Sequence, residues 1–81
     1  MNTATVTEYN SVDIAMAINA ELAKGNIVTI NGDVVGGYRK NINPYMNGTI
    51  GFETPSKTAG KTRSVYLKVG RTINWTSTPA A

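Results

Sequence analysis

Residues 11–38 read SVDIAMAINAELAKGNIVTINGDVVGGY, and the period of their apolar residues changes at Gly25. Before it, Ile14, Ala17, Ile18 and Leu22 recur at three- and four-residue spacing and form one helical stripe, widened by Ala15, Met16 and Ala20. Ser11 suits an N-cap, Asp13 falls in the first turn where the helix dipole favours an acid, and Gly25 supplies a C-terminal stop. These signals bracket a helix from Val12 to Lys24. After Gly25 the period is 2, and Ile27, Val28, Thr29 and Ile30 form a β-branched run. Asn31-Gly32 then offers the two positive-φ positions of a tight hairpin, leading into a strand over Asp33 to Tyr38.

On the N-terminal side, Thr3, Thr5 and Thr7 alternate with Ala4 and Val6, which allows a short strand or a loose arm over Thr3 to Tyr9. On the C-terminal side a second Asn-Gly, Asn47-Gly48, separates Pro44-Tyr45-Met46 from the strand-like run Thr49 to Thr54 and reads as the tip of a protruding ribbon. Pro55 to Arg63 reads as a mobile basic loop. Val65, Leu67 and Val69 alternate with Ser64, Tyr66 and Lys68, the pattern of a half-buried strand. Gly70-Arg71 turns the chain into Thr72 to Trp75. The chain contains neither a repeat nor a linker, so residues 1–81 form a single domain with 1–10 and 76–81 expected to be flexible. The fold class is α+β: one N-terminal helix followed by a small antiparallel sheet of four to five strands built from hairpins.

The 81 residues include neither Cys nor His, so disulfides and the usual ligands of structural zinc are excluded. A domain of this size buries only about 60% of the surface its unfolded chain exposes. Pairing with a second subunit, a homodimer, is the reinforcement that remains. No stretch approaches the roughly 20 apolar residues of a membrane span, and the N-terminus resembles no signal peptide, so a cytoplasmic protein with no membrane partner is expected.

The same absences remove the commonest general base and the thiolate nucleophile. Asp13 and Glu21 are eight positions apart, Asp33 follows a turn glycine, and no carboxylate pair suggests acid–base work. Gly60-Lys61-Thr62 has the ending of a phosphate-binding loop, but Pro55 stands where that pattern requires glycine. The expectation is a protein that is no enzyme and uses neither cofactor nor metal.

Charge is unevenly placed. Glu8, Asp13 and Glu21 give the first 23 residues a net −3, while the remaining residues carry all eight bases against Asp33 and Glu53, a net +6. The bases interleave with aromatics in Tyr38-Arg39-Lys40, Tyr45, Lys57, Lys61, Arg63, Tyr66, Lys68, Arg71 and Trp75. Bases neutralise phosphates and release counterions, and aromatic faces stack on exposed nucleobases, provided both share a surface. Strand alternation points Tyr66 and Lys68 the same way, whereas Phe52 and Trp75 are better suited to the core.

Residues 24–56 resemble the bacterial histone-like family that includes HU, integration host factor and their phage-encoded relatives. The matching residues are Lys24-Gly25, Val28, Ile30, Gly32, Asn43-Pro44, Gly48, Ile50, Phe52 and Pro55-Ser56, with Val65 to Arg71 similar to a later strand and Lys-x-Gly segment. The resemblance implies that Pro44 wedges between base pairs, that Arg39, Lys40, Lys57 and Lys61 grip phosphates beside the minor groove, and that the helix helps form a dimer. The chain departs from the family in lacking a first helix, in a shorter run to Asn43-Pro44, in an Arg-poor arm and in an insertion after Ser56.

The expected function is that of a small, dimeric, phage-type protein binding nucleic acid, DNA rather than RNA, through a basic β-ribbon and loop. Its candidate contact residues are Arg39, Lys40, Pro44, Tyr45, Lys57, Lys61, Arg63, Tyr66, Lys68 and Arg71. Two rival expectations are a phage-encoded inhibitor or anti-defence protein that binds a host protein, and a minor virion or assembly protein.

Overall fold

The computed structural model describes residues 2–36, 41–56 and 60–79. The α+β expectation holds, with one helix and seven strands among the described residues. In chain order these are β1 (Asn2–Thr5), α1 (Ser11–Ala23), β2 (Ile27–Ile30), β3 (Asp33–Val34), β4 (Asn43–Pro44), β5 (Ile50–Pro55), β6 (Thr62–Leu67) and β7 (Thr72–Thr78). They form two antiparallel sheets rather than one, in the orders β1-β7-β2-β3 and β4-β5-β6.

The hairpin at Asn31-Gly32 forms as its residues dictate, with φ of 50° and 87° at the two turn positions. Asn31 does more than turn the chain. Its side chain accepts a hydrogen bond from the Asn74 amide at 2.8 Å and donates to the Thr72 carbonyl at 3.2 Å, fastening the turn to β7. β7 is central, pairing Ile73 with Ala4 on one side and Trp75 with Ile30 on the other.

Several boundaries shift. The helix begins at Ser11, with Asn10 rather than Ser11 in the capping position, and ends at Ala23. Ser11 is the first helical residue and is buried, and Asn10 makes no side-chain capping bond to the helix. Asn10 instead ties the preceding loop, accepting from the Thr7 amide and donating to the Thr5 carbonyl, both at 2.8 Å. Residues 76–78, expected to be loose, lie in β7 opposite Ile27 to Thr29, and residues 2–5 are ordered in β1 by pairing with Thr72 to Trp75. Of the strand expected over Asp33 to Tyr38, the described residues show Asp33–Val34, and residues 37–40 lie outside the described residues.

The Asn47-Gly48 turn reverses the chain between β4 and β5, but it is no protruding tip. A Cβ on Gly48 would lie 2.9 Å from the Glu8 Cα and 2.6 Å from Val69 Cγ2, so the turn is packed under the segment joining β1 to α1. Its φ of 86° also requires glycine. The expected basic loop is likewise shorter. Pro55 ends β5, β6 begins at Thr62, and the Ser56 amide closes the connection onto the Lys61 carbonyl at 2.9 Å.

The core lies among α1 and the inward faces of both sheets. It joins Ala15 and Ile18 of the helix to Val28, Ile30 and Ile73 of the four-stranded sheet and to Ile50, Phe52 and Leu67 of the three-stranded one, with Val6, Val35 and Ile42 between them. Each fully buried side chain of this size contributes about 1.5–3 kcal/mol. Trp75 packs against this core while staying partly exposed. The helix's apolar residues divide: Ala15 and Ile18 are buried and Ile14 and Leu22 half-buried, whereas Met16, Ala17 and Ala20 face solvent. Asn19 clamps the segment entering β4. It donates to the Ile42 carbonyl at 3.0 Å and accepts from the Ile42 amide at 2.8 Å.

Candidate nucleic-acid interface

The outward face of the three-stranded sheet is organised around a glycine. Gly51 in β5 stands opposite Asn43 of β4 and Tyr66 of β6. Because side chains alternate along a strand, Asn43 and Tyr45 share that outward face, as do Ser64 and Tyr66. The rings of Tyr45 and Tyr66 lie over Gly51 with centroids 6.1 Å apart and planes inclined by 50°. A Cβ on Gly51 would meet Tyr45 Cε2 at 2.8 Å and two Tyr66 ring carbons at 3.0 Å, so the absent side chain is what lets the rings settle. Both rings remain about half exposed, Tyr45 at 45% and Tyr66 at 55%.

On one side of the ring pair, Asn41, Asn43, Glu53 and Ser64 line an open groove of about 200 Å³. On the other, Met46, Asn47, Thr49 and Lys68 continue the surface, and Met46 is fully exposed. The face thus combines two accessible π-surfaces, amide and hydroxyl groups, one carboxylate and one ammonium. Such a set can stack planar rings and hydrogen-bond their edges.

Of the expected contact residues, the fold brings together Tyr45, Tyr66 and Lys68. Pro44 is adjacent and exposed, but it pairs with the inward-facing Ile50, so its parity is opposite to that of Tyr45. Arg63 leaves the shared surface altogether. It has the parity of Val65 and Leu67, and its Nη2 donates to Asp33 Oδ1 at 2.9 Å, bridging β6 to β3. Arg71 borders a different surface, the outward face of the four-stranded sheet, with Thr29, Asn31, Thr72, Asn74 and Thr76. Lys61 is exposed at the root of the β5–β6 connection. Arg39, Lys40 and Lys57 lie outside the described residues. The bases therefore do not share one face among the described residues.

Gly51, Asn43, Glu53 and Ser64 were not anticipated as members of this surface. A glycine inside a strand run, between Ile50 and Phe52, is the signal that could have marked a close approach there. Among the described residues no helix is long and apolar enough to cross a membrane. The chain matches no family model, no curated protein and no solved structure.

Proposed function

We propose that this protein binds single-stranded nucleic acid without catalysing a reaction, using the outward face of the β4-β5-β6 sheet. The observation that carries the reading is the Tyr45–Tyr66 pair, held half exposed over Gly51. Bases stack on the two rings, and amide and hydroxyl groups from Asn41, Asn43 and Ser64 meet base edges. Lys68 neutralises a phosphate at one margin, and Lys61 extends the basic rim from the β5–β6 connection. DNA is the preferred strand in this reading. Unpaired strands suit the surface better than a duplex, because a stack on exposed rings requires bases that are free to splay out.

The test is fluorescence anisotropy with a labelled single-stranded DNA, the matching RNA and the duplex, each at two salt concentrations. Binding should be strongest for single-stranded DNA and weaken with salt. Its logarithmic slope should be shallow, reflecting two or so phosphate contacts rather than the six to ten of a phosphate-gripping protein. Tyr45→Ala and Tyr66→Ala should each reduce affinity about tenfold, the range expected for losing one stacked base. Absence of salt-sensitive binding to all three ligands would sink the reading.

A further inference from the structure

The core uses only one side of α1. At 3.6 residues per turn, Ser11, Ala15, Ile18 and Leu22 lie on the side packed against the sheets. Val12, Met16, Ala20 and Ala23 fall on a second side, within an arc of about 80° centred about 125° around the helix from the packed one. All four are solvent-exposed, Val12 by 52% and Met16 by 65%. A helix that is apolar on both sides needs a second surface to cover it.

We propose that a second copy of this chain covers it, with two α1 helices packed antiparallel about a twofold axis. The stripe is complementary to itself in that arrangement. Its larger residues, Val12 and Met16, lie toward one end and its small ones, Ala20 and Ala23, toward the other, so antiparallel pairing sets Met16 of one copy against Ala20 of the other, and the axis repeats the contact. The charges agree with the same register. Asp13 and Lys24 flank the stripe on one side at opposite ends, and antiparallel pairing brings each Asp13 beside the other copy's Lys24. Both residues are exposed, and Lys24 already holds Glu21 at 2.7 Å within its own helix, so the second acid completes an alternating row. Antiparallel helices also oppose their dipoles favourably.

A helix of 13 residues is about 20 Å long. Two such stripes cover less than the roughly 800 Å² per partner of a standard interface, so the dimer is a micromolar one or weaker. This inference does not depend on nucleic acid, and its test contains none.

Sedimentation velocity is run from about 5 µM to about 500 µM, with circular dichroism confirming that every variant is folded. The wild type should shift toward the two-chain mass as concentration rises. Met16→Lys, at an exposed position outside the core, should stay monomeric throughout. Asp13→Lys and Lys24→Asp should each weaken association about fivefold or more, and the two together should restore it to within about twofold of wild type. A wild type that is monomeric across the range overturns the proposal. So does a dimer indifferent to Met16→Lys, or one that the combined charge swap fails to restore.

Discussion

The two sheets present outward faces of different chemistry. On the four-stranded sheet the outward positions are Thr3, Thr5, Thr29, Thr72, Asn74, Thr76 and Thr78 with the exposed Ile27 and Val34, and on the three-stranded sheet they include Asn43, Tyr45, Gly51 and Tyr66. The first set is mostly threonine, aliphatic where it is apolar, and partly bonded within itself: the hydroxyls of Thr29 and Thr76 hydrogen-bond across β2 and β7, and Asn74 is bonded through its backbone to Asn31. The second keeps two large rings half in water over a residue with no side chain. Threonine pairs stabilise a sheet at little cost in rotamer freedom, whereas exposed tyrosines gain little from folding alone. A face that spends aromatic surface on solvent is therefore the better candidate for a ligand.

If the faces differ in role while sharing one core, the largest effect comes from beneath them. Ile50→Ala under the three-stranded sheet and Ile73→Ala under the four-stranded sheet should each cost about 3 kcal/mol. Because both side chains are fully buried in a single cluster, Trp75 fluorescence and far-ultraviolet dichroism should report one common denaturant transition in each variant. Two separated transitions would break the comparison by making the sheets independent units.

A smaller effect separates the faces directly. Gly51→Ala forces the tyrosine rings apart and should cost about 1–2 kcal/mol in urea unfolding while also weakening nucleic-acid binding. Thr76→Ala removes one hydroxyl pair, should cost about 1 kcal/mol and should leave binding unchanged. Equal losses of binding in the two variants would argue against a role confined to one face.

The smallest effect concerns Arg63. Its ion pair with Asp33 joins two half-exposed groups, so Arg63→Ala should alter stability by no more than about 0.5 kcal/mol. It should also disturb binding less than Lys68→Ala, since Arg63 points away from the tyrosine face. A larger binding loss from Arg63→Ala, measured by anisotropy, would return that residue to the interface.

Local features were the legible part of the sequence. Asn31-Gly32 announced its hairpin because no other common pair takes two positive φ angles so readily, and the β-branched run after Gly25 marked β2. The division into two sheets was not legible, because β1 and β7 pair across almost the whole chain and weakly polar threonines give no strong alternation. The helix misled for a related reason. With Met16, Ala17 and Ala20 as apolar as Ala15 and Ile18, periodicity could not say which side meets the core. The position of Arg63 was readable in principle, since it shares parity with Val65 and Leu67, but the overall count of bases obscured it. The stacking of Tyr45 and Tyr66 over Gly51 depends on the register of three strands, which sequence spacing alone does not set.

The centrality of β7 bears on how the molecule comes together. Asn2 pairs with Trp75, so β1 waits for β7 before it has a neighbour, and β2 waits for the same strand on its free edge. Insertion of β7 between them is therefore a late, cooperative closing step that must overcome the entropy of a loop spanning most of the chain. Until it happens, β1 and β2 each carry an unsatisfied row of amides and carbonyls. The interval between synthesis of β2 and arrival of β7 is when this protein is most exposed to mispairing with other chains.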